Sequence, residues 1–255
     1  METQQQLFFL NQIGQQKPNS MQNKETACPF CDQTQLSNIL ETDETIIWLK
    51  NKYPTLQNTL QTVIIETDNC HDHIATYTQK HMRKLIRFSV KHWLSLEESE
   101  KFQSVILYKN HGTLSGGTIH HAHMQIIGME HVDYRQNVKT EHFKGVIVNK
   151  EHGIELNIST HPIIGFTEFN IIIENTNLID MMADYIQKTV RYVLHDFHKR
   201  CNSYNMFFYS LDGKIICKIV PRFVVSPLYV GYNIPQVSTQ LQGVKEQLRT
   251  YFIEK

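Results

Sequence analysis

Apolar residues along the chain fall into short β-branched runs separated by two longer stretches of helical period. Residues 62–66 and 169–174 each read as a strand dense in Ile and Val, and each is followed by polar residues suited to a turn or helix start. After the first run Ile74, Tyr77, His81, Leu85, Phe88 and Trp93 recur at roughly helical spacing. After the second, Met181, Tyr185, Val193, Leu194 and Phe197 do the same. Two more strands are expected after each helix, 104–108 with 123–128 and then 205–210 with 215–220. Earlier strands are expected at 46–49, 145–148 and 154–158, the last two joined by the turn-like Glu151-His152-Gly153.

This recurrence is an internal repeat. Sliding the chain along itself by 108 residues superposes Glu66 on Glu174, Asn69 on Asn177, Asp72 on Asp180, Ala75 on Ala183, Tyr77 on Tyr185, Gln79 on Gln187, Lys80 on Lys188 and Arg83 on Arg191, eight identities in eighteen positions. The expected architecture is α+β, two units that are each an antiparallel sheet carrying one long helix, divided into residues 1–135 and 136–255. Tyr77, Trp93, Tyr185 and Phe197 are assigned to core packing.

With 255 residues, 41% of them hydrophobic, the chain has enough apolar surface for such a core. Lys plus Arg and Asp plus Glu both number 25, so no basic excess points to nucleic acid. No apolar run approaches the roughly 18 residues of a membrane span, and residues 1–16 lack a basic start followed by an apolar block. A soluble cytoplasmic protein is expected. Five cysteines, two of them in Cys28-Pro29-Phe30-Cys31, suit a metal or redox site better than a disulfide framework.

The units differ where chemistry would sit. Between its last two strands the first carries a long insertion, including Asn110-His111-Gly112 and Ser115-Gly116-Gly117-Thr118, that runs into His121-Ala122-His123-Met124-Gln125, whereas the second has a short turn around Leu211-Asp212-Gly213. On a strand His121, His123 and Gln125 point to one face. The small residues before them let backbone N–H groups approach an anion, which suggests a phosphate held beside an imidazole.

Asn110-x-Gly112, then Ser115-Gly116-Gly117, then His121-x-His123-x-Gln125 resembles the signature of the galactose-1-phosphate uridylyltransferase-like branch of the histidine-triad (HIT-like) superfamily. Cys28-Pro29-Phe30-Cys31 and Asn51-Lys52-Tyr53-Pro54 agree with it in order, over about residues 17–130. The resemblance implies a nucleotidyltransferase of nucleotide-sugar and galactose metabolism. In it His123 attacks the α-phosphorus of a nucleoside diphosphate sugar, a sugar 1-phosphate leaves, and a second phosphorylated acceptor takes the nucleotidyl group. Gln125 stands where hydrolases of the superfamily carry a third histidine, which favours transfer. The same matching puts Asn51, Lys52 and Tyr53 beside the nucleoside, with a plain turn and buried ring the other reading of Tyr53, and puts Asn110, Gly112, Ser115, Gly116 and Gly117 around the phosphates. The acceptor is left open between a hexose 1-phosphate, inorganic phosphate as in a phosphorylase, and water as in a dinucleotide hydrolase. A nucleotide-binding protein without turnover is the reading from another class.

The resemblance also implies a zinc ion on Cys28, Cys31, His121 and a fourth ligand, Cys70 by gapless matching or His71 one residue on. A redox Cys-x-x-Cys is the competing reading, but no βαβ pattern surrounds it. Cys201 and Cys217 read as buried thiols. In the second unit Lys214 and Ile216 fall where relatives carry a second pair of metal-binding histidines, so that site is expected to be missing. Family habit implies a homodimer, in which Lys218, Arg222 or Tyr232 could reach a sugar or phosphate of the partner.

Overall fold

A computed structural model describes residues 6–21 and 27–254. Residues 1–5, where the expected absence of a leader begins, lie outside the described residues. After a short α1 (Asn11–Gly14), the first half contributes β1 (Ile39–Asp43), β2 (Ile46–Lys50), β3 (Thr59–Ile65), α2 (Gln79–Glu98), β4 (Ser104–His111) and β5 (His123–Met129). The second contributes β6 (Gly145–Glu151), β7 (Ile154–Ser159), β8 (Gly165–Phe166), β9 (Phe169–Ile173), α3 (Ile179–Tyr192), β10 (Tyr204–Leu211) and β11 (Lys214–Pro221), followed by α4 (Pro227–Tyr232), β12 (Gln236–Val237) and α5 (Leu241–Glu254).

The two expected sheets are one. Ten strands lie in the order β1-β2-β3-β5-β4-β10-β11-β9-β7-β6, a mirror of itself about its centre, and β4 and β10 pair antiparallel there, from Tyr204 opposite His111 to Phe208 opposite Leu107. Each half would otherwise end in an open edge at that point, and pairing satisfies both edges. The short β8 and β12 pair parallel with each other beside this sheet.

Helices α2 and α3 lie side by side on one face, and the repeated residues explain why. Thr78 caps α2 by accepting from the His81 N–H at 3.2 Å. Gln79 and Arg83 of α2 then both reach Asp184 of α3, at 3.0 and 2.5 Å. Their counterparts Gln187 and Arg191 reach back, to the carbonyls of Ile74 and Tyr77 at 2.9 and 2.8 Å and to that of Ala75 at 2.8 Å. Beneath the helices lies one continuous core with Ile64, Trp93, Met124, Ile126, Ile171, Ile186 and Ile219 fully buried. Tyr77, Trp93 and Tyr185 are buried in this core and Phe197 packs against it, while Cys201 and Cys217 are buried thiols.

The 108-residue offset holds for the helices but not for the strands. It lays Ile64 on Ile172, yet Ile64 is in the core under the helices and Ile172 packs on the opposite face with Phe143 and Ile216; Ile171 takes the core position. A one-residue slip reverses every side chain of a strand. The chain also contains β1, α4 and α5, which strand and helix periodicity did not suggest; β1 is an edge strand with four of its five residues exposed.

The sheet face away from the helices separates the halves. In the second half Phe143 sits on it against Ile216 and Tyr209, the two rings 4.9 Å apart. Lys218 is fully buried there, in an ion pair with Glu168 at 2.8 Å and donating to the His142 carbonyl at 2.9 Å. Its suggested role toward a sugar or phosphate is therefore wrong: the ammonium is consumed inside its own half. In the first half the same face is open.

Lys218→Met should destabilise the protein by about 3–5 kcal/mol, because it strands the Glu168 carboxylate. Adding Glu168→Leu should not recover that loss, as read from urea unfolding midpoints, because the same carboxylate accepts from the Ile163 and Ile164 N–H groups at 2.9 and 2.8 Å.

Candidate functional site

The site is built on the first residues of β5. Met124 and Ile126 are fully buried on the helix side, so His123 and Gln125 face the open side. His123 is 7% exposed, and its Nδ1 bonds the His121 carbonyl at 2.8 Å. A carbonyl only accepts, so Nδ1 carries the proton and Nε2 keeps its lone pair. Burial first, and the Lys109 charge after it, pull His123 down to about 4, which leaves a neutral imidazole at physiological pH. Phe30 closes over it edge-on, its ring 5.4 Å from that of His123 and 6.0 Å from that of His121.

His123 and Gln125 open into a cavity of ≈ 280 Å³ bordered by Lys17, Phe30, Leu36, residues 49–53, Tyr108, Asn110 and residues 116–119. Asn51, Lys52 and Tyr53 are brought there by an Asx turn in which the Asn51 side chain accepts from the Tyr53 N–H at 2.8 Å. Gly116 takes a left-handed φ of 83°, and Gly117 lies so close to Asn110 that a Cβ would stand 3.2 Å from the Asn110 Cβ. Ser115 and Gly112 do not face the cavity. Ser115 is buried and donates to the Gly112 carbonyl at 2.6 Å; Gly112, at φ 80°, is pressed so tightly against the second half that a Cβ would come within 2.3 Å of Ser203 Oγ. They hold the loop in shape.

Several contributors were not singled out in the sequence. Lys17 borders the cavity half-buried, with its pKa lowered by burial, and no motif marks it. Tyr108 faces the cavity two residues before Asn110, a relation that strand periodicity carries but that an expected strand ending at residue 108 hides. On the other sheet face Lys109 pairs with Glu66 at 2.5 Å, both fully buried, and lies 3.4 Å from the His123 carbonyl; Tyr77 donates to the same carboxylate at 3.0 Å. Arg222, one of the residues suggested for a partner's substrate, instead donates to Asn205 at 2.8 Å, and Tyr232 is 75% exposed on α4.

Beside His123 the side chains of Cys28, Cys31, Cys70 and His121 bring their ligand atoms within 4.8 Å of one another, and this group could hold a metal ion. His71 is not part of it; its ring faces His120 at 6.5 Å. The dimensions suit a tetrahedral ion. His121 Nδ1 is 3.5 Å from Cys28 Sγ and 3.6 Å from Cys31 Sγ. Bonds of about 2.3 Å to sulfur and about 2.0 Å to nitrogen put neighbouring ligands of tetrahedral zinc about 3.5 Å apart. His121 Nε2 donates to the Thr67 carbonyl at 2.7 Å, which turns the Nδ1 lone pair toward the sulfurs. Burial pushes the Cys28 thiol up, but the His121 ring, the Phe30 N–H and Cys31 bring it down to about 6, a thiolate at neutral pH. Burial and then Cys31 push Cys70 up to about 12. Three sulfurs this close repel one another as thiolates, and a dication removes that conflict.

Among known structures the same fold occurs in a uridylyltransferase (12% identity, 90% of this chain and 92% of that one, TM-score 0.71). It occurs too in an ADP-glucose phosphorylase from Arabidopsis thaliana with bound ADP-glucose (12% identity, 88% and 91%, TM-score 0.70). A DUF4931 family protein from Bacillus cereus is 69% identical, with 85% of this chain and 100% of that chain covered and a TM-score of 0.79. The two parts of that family, each described as a domain of unknown function, match residues 9–132 and 135–252. The chain belongs to the DUF4931 family. It is also 30% identical over 105 residues to a di-/tripeptide transporter of Lactobacillus helveticus, which is 41% of this chain but 21% of that protein. An overlap of that extent carries no transport activity over, and among the described residues no helix is long and apolar enough to cross a membrane.

Metal analysis of the purified protein should give one metal ion per chain. Cys70→Ser should lose most of it and His71→Ala should keep it. Removing the ion with a chelator should lower the melting temperature of the wild type and leave Cys70→Ser little changed.

Proposed function

We propose that the protein is a nucleotidyltransferase that acts on nucleoside diphosphate sugars through a nucleotidyl-His123 intermediate, most like a hexose-1-phosphate uridylyltransferase. The observation that carries this is the His123 ring: buried, neutral, pinned at Nδ1 by the His121 carbonyl, and open at Nε2 to a cavity edged by Gln125, Asn110 and the glycine loop. Nε2 attacks the α-phosphorus, the P–O bond to the sugar phosphate breaks, and the sugar phosphate leaves. A second phosphorylated acceptor then displaces His123. Such chemistry depends on positioning and on donors for the phosphoryl oxygens. The Gly116 N–H, the amides of Asn110 and Gln125, and the Lys17 ammonium supply donors around one cavity. Gln125, an amide, has no proton to pass at neutral pH, which disfavours water as the acceptor. The Asn51 to Tyr53 turn borders the nucleoside.

Cys28, Cys31, Cys70 and His121 would hold zinc, and what the ion supplies there is rigidity for the strand that bears His123. Three free thiols in one site call for a reducing compartment, which supports the cytoplasm. Val224, Val230 and Ile234 are 84%, 74% and 53% exposed on one segment of the second half, an apolar surface that supports a homodimer. A second reading, a phosphorylase in which inorganic phosphate is the acceptor, is favoured by the likeness to the ADP-glucose phosphorylase. Both readings share the first half-reaction.

Intact-protein mass spectrometry after incubation with UDP-glucose, UDP-galactose, ADP-glucose and a dinucleotide should show one nucleotidyl adduct, absent in His123→Ala. Gln125→Ala should form it about 100-fold more slowly. Chasing the adduct with a hexose 1-phosphate or with inorganic phosphate separates the two acceptors. Released mononucleotide without an adduct would point to a hydrolase, and neither adduct nor turnover to a binding protein.

A further inference from the structure

Asn110 and Asn205 face each other across the joint of the two halves, where β4 meets β10. Asn205 is 2% exposed, so it touches no ligand in the cavity, yet each of its polar atoms is engaged. Its Oδ1 accepts from Arg222 Nη1 at 2.8 Å; its Nδ2 donates to Asn110 Oδ1 at 2.6 Å and to the Ser115 carbonyl at 2.9 Å. Arg222 is itself held on the Ser203 carbonyl through its backbone N–H at 2.8 Å.

A guanidinium has donors and no acceptor. Arg222 therefore dictates which end of the Asn205 amide faces it, and the NH₂ end is left for Asn110 and the glycine loop. That NH₂ in turn takes the Asn110 oxygen. Asn110 borders the cavity, and among the described residues its own Nδ2 makes no hydrogen bond to protein. The orientation of three groups is thus decided by one of them, which lies in the half that lacks a counterpart of His121 and His123.

We propose that Arg222 and Asn205 are positioning residues that set the polarity of Asn110, so that the cavity meets an N–H donor aimed at phosphoryl oxygens and not a carbonyl oxygen that would repel them. Through the Ser115 carbonyl the same amide fixes the glycine loop. The proposal rests on the nucleotidyl-transfer reading for the nature of the ligand; the orientation of the amides does not depend on it.

The test is Asn205→Asp. The carboxylate keeps Arg222 as a partner and gains an ion pair, but it only accepts, so Asn110 must turn its NH₂ toward it and present oxygen to the cavity. The Ser115 carbonyl loses its donor as well, so a modest fall in melting temperature is expected, together with His123 loaded about 100-fold more slowly at saturating UDP-glucose or ADP-glucose. Arg222→Lys, which keeps a donor, should retain most of the rate that Arg222→Met loses. In parallel, the Asn110 side-chain NH₂ signals in ¹⁵N spectra of the free protein, assigned by their loss in Asn110→Asp, should exchange freely with water in the wild type and be protected in Asn205→Asp. Unchanged loading in Asn205→Asp, or equal losses in Arg222→Lys and Arg222→Met accompanied by a fall in melting temperature, would overturn the proposal. If the wild type loads no donor, the nucleotidyl-transfer reading fails by itself. The NH₂ exchange then decides the relay, and an unaltered Asn110 signal sinks it.

Discussion

The pairing of β4 with β10 is the constraint on which the rest of the molecule depends. It turns two half-sheets into one ten-stranded sheet, brings α2 and α3 into contact on one face, and sets Asn110 opposite Asn205 on the other. A duplicated unit with an open edge needs a partner for that edge, and the partner here is its own copy. The helix identities of the repeat follow from this arrangement. Gln79 and Arg83 reach across the interface from one side, Gln187 and Arg191 from the other. Residues on a pseudo-twofold interface are constrained in both copies, whereas strand residues that face different environments are free to diverge.

That divergence is visible on the face opposite the helices. In the first half a cavity is left open between Phe30, the glycine loop and the Asn51 turn. In the second, Phe143 lies against Ile216, and the buried Lys218 and Glu168 neutralise each other. A side chain that fills a site and a charge that finds an internal partner both remove a binding surface while leaving the sheet intact. The second half has not become inert, since Ser203, Asn205 and Arg222 shape the loop that borders the cavity of the first.

What the sequence made legible follows the same division. The strands, the two helices and the cavity-facing His123 and Gln125 could be read because periods of 2 and 3.6 report burial directly. Cys28, Cys31, Cys70 and His121 come together as the gapless matching suggested. Lys17 could not be read, because the segment that carries it has no period and is placed by backbone bonds such as Met21 N–H to the Thr118 carbonyl at 3.1 Å. Gly112 and Ser115 belong to a glycine-rich run, and nothing in such a run distinguishes a glycine that admits a ligand from one that admits Ser203. The fate of Lys218 depended on Glu168, fifty residues away, which no local pattern links to it.

The cost of burying polar groups falls where the strand bearing His123 most needs support. Before residue 123 the chain is irregular for more than ten residues, so nothing in the sheet ladder fixes His121 and Ala122. Two sets of contacts do. From the helix side Lys109 and Glu66 form a buried pair, with the ammonium 3.4 Å from the His123 carbonyl and the Glu66 N–H on the Ala122 carbonyl at 3.1 Å. From the open side His121 is held by the Thr67 carbonyl and the thiol cluster. Glu66 and Thr67 are adjacent, so both sets anchor the strand to the same two residues at the end of β3. An apolar pair in place of Lys109 and Glu66 would stabilise the core as well or better, but it would leave the His123 carbonyl without that ammonium. The buried charges are therefore better understood as holding the backbone that carries His123 than as adding to the stability of the fold.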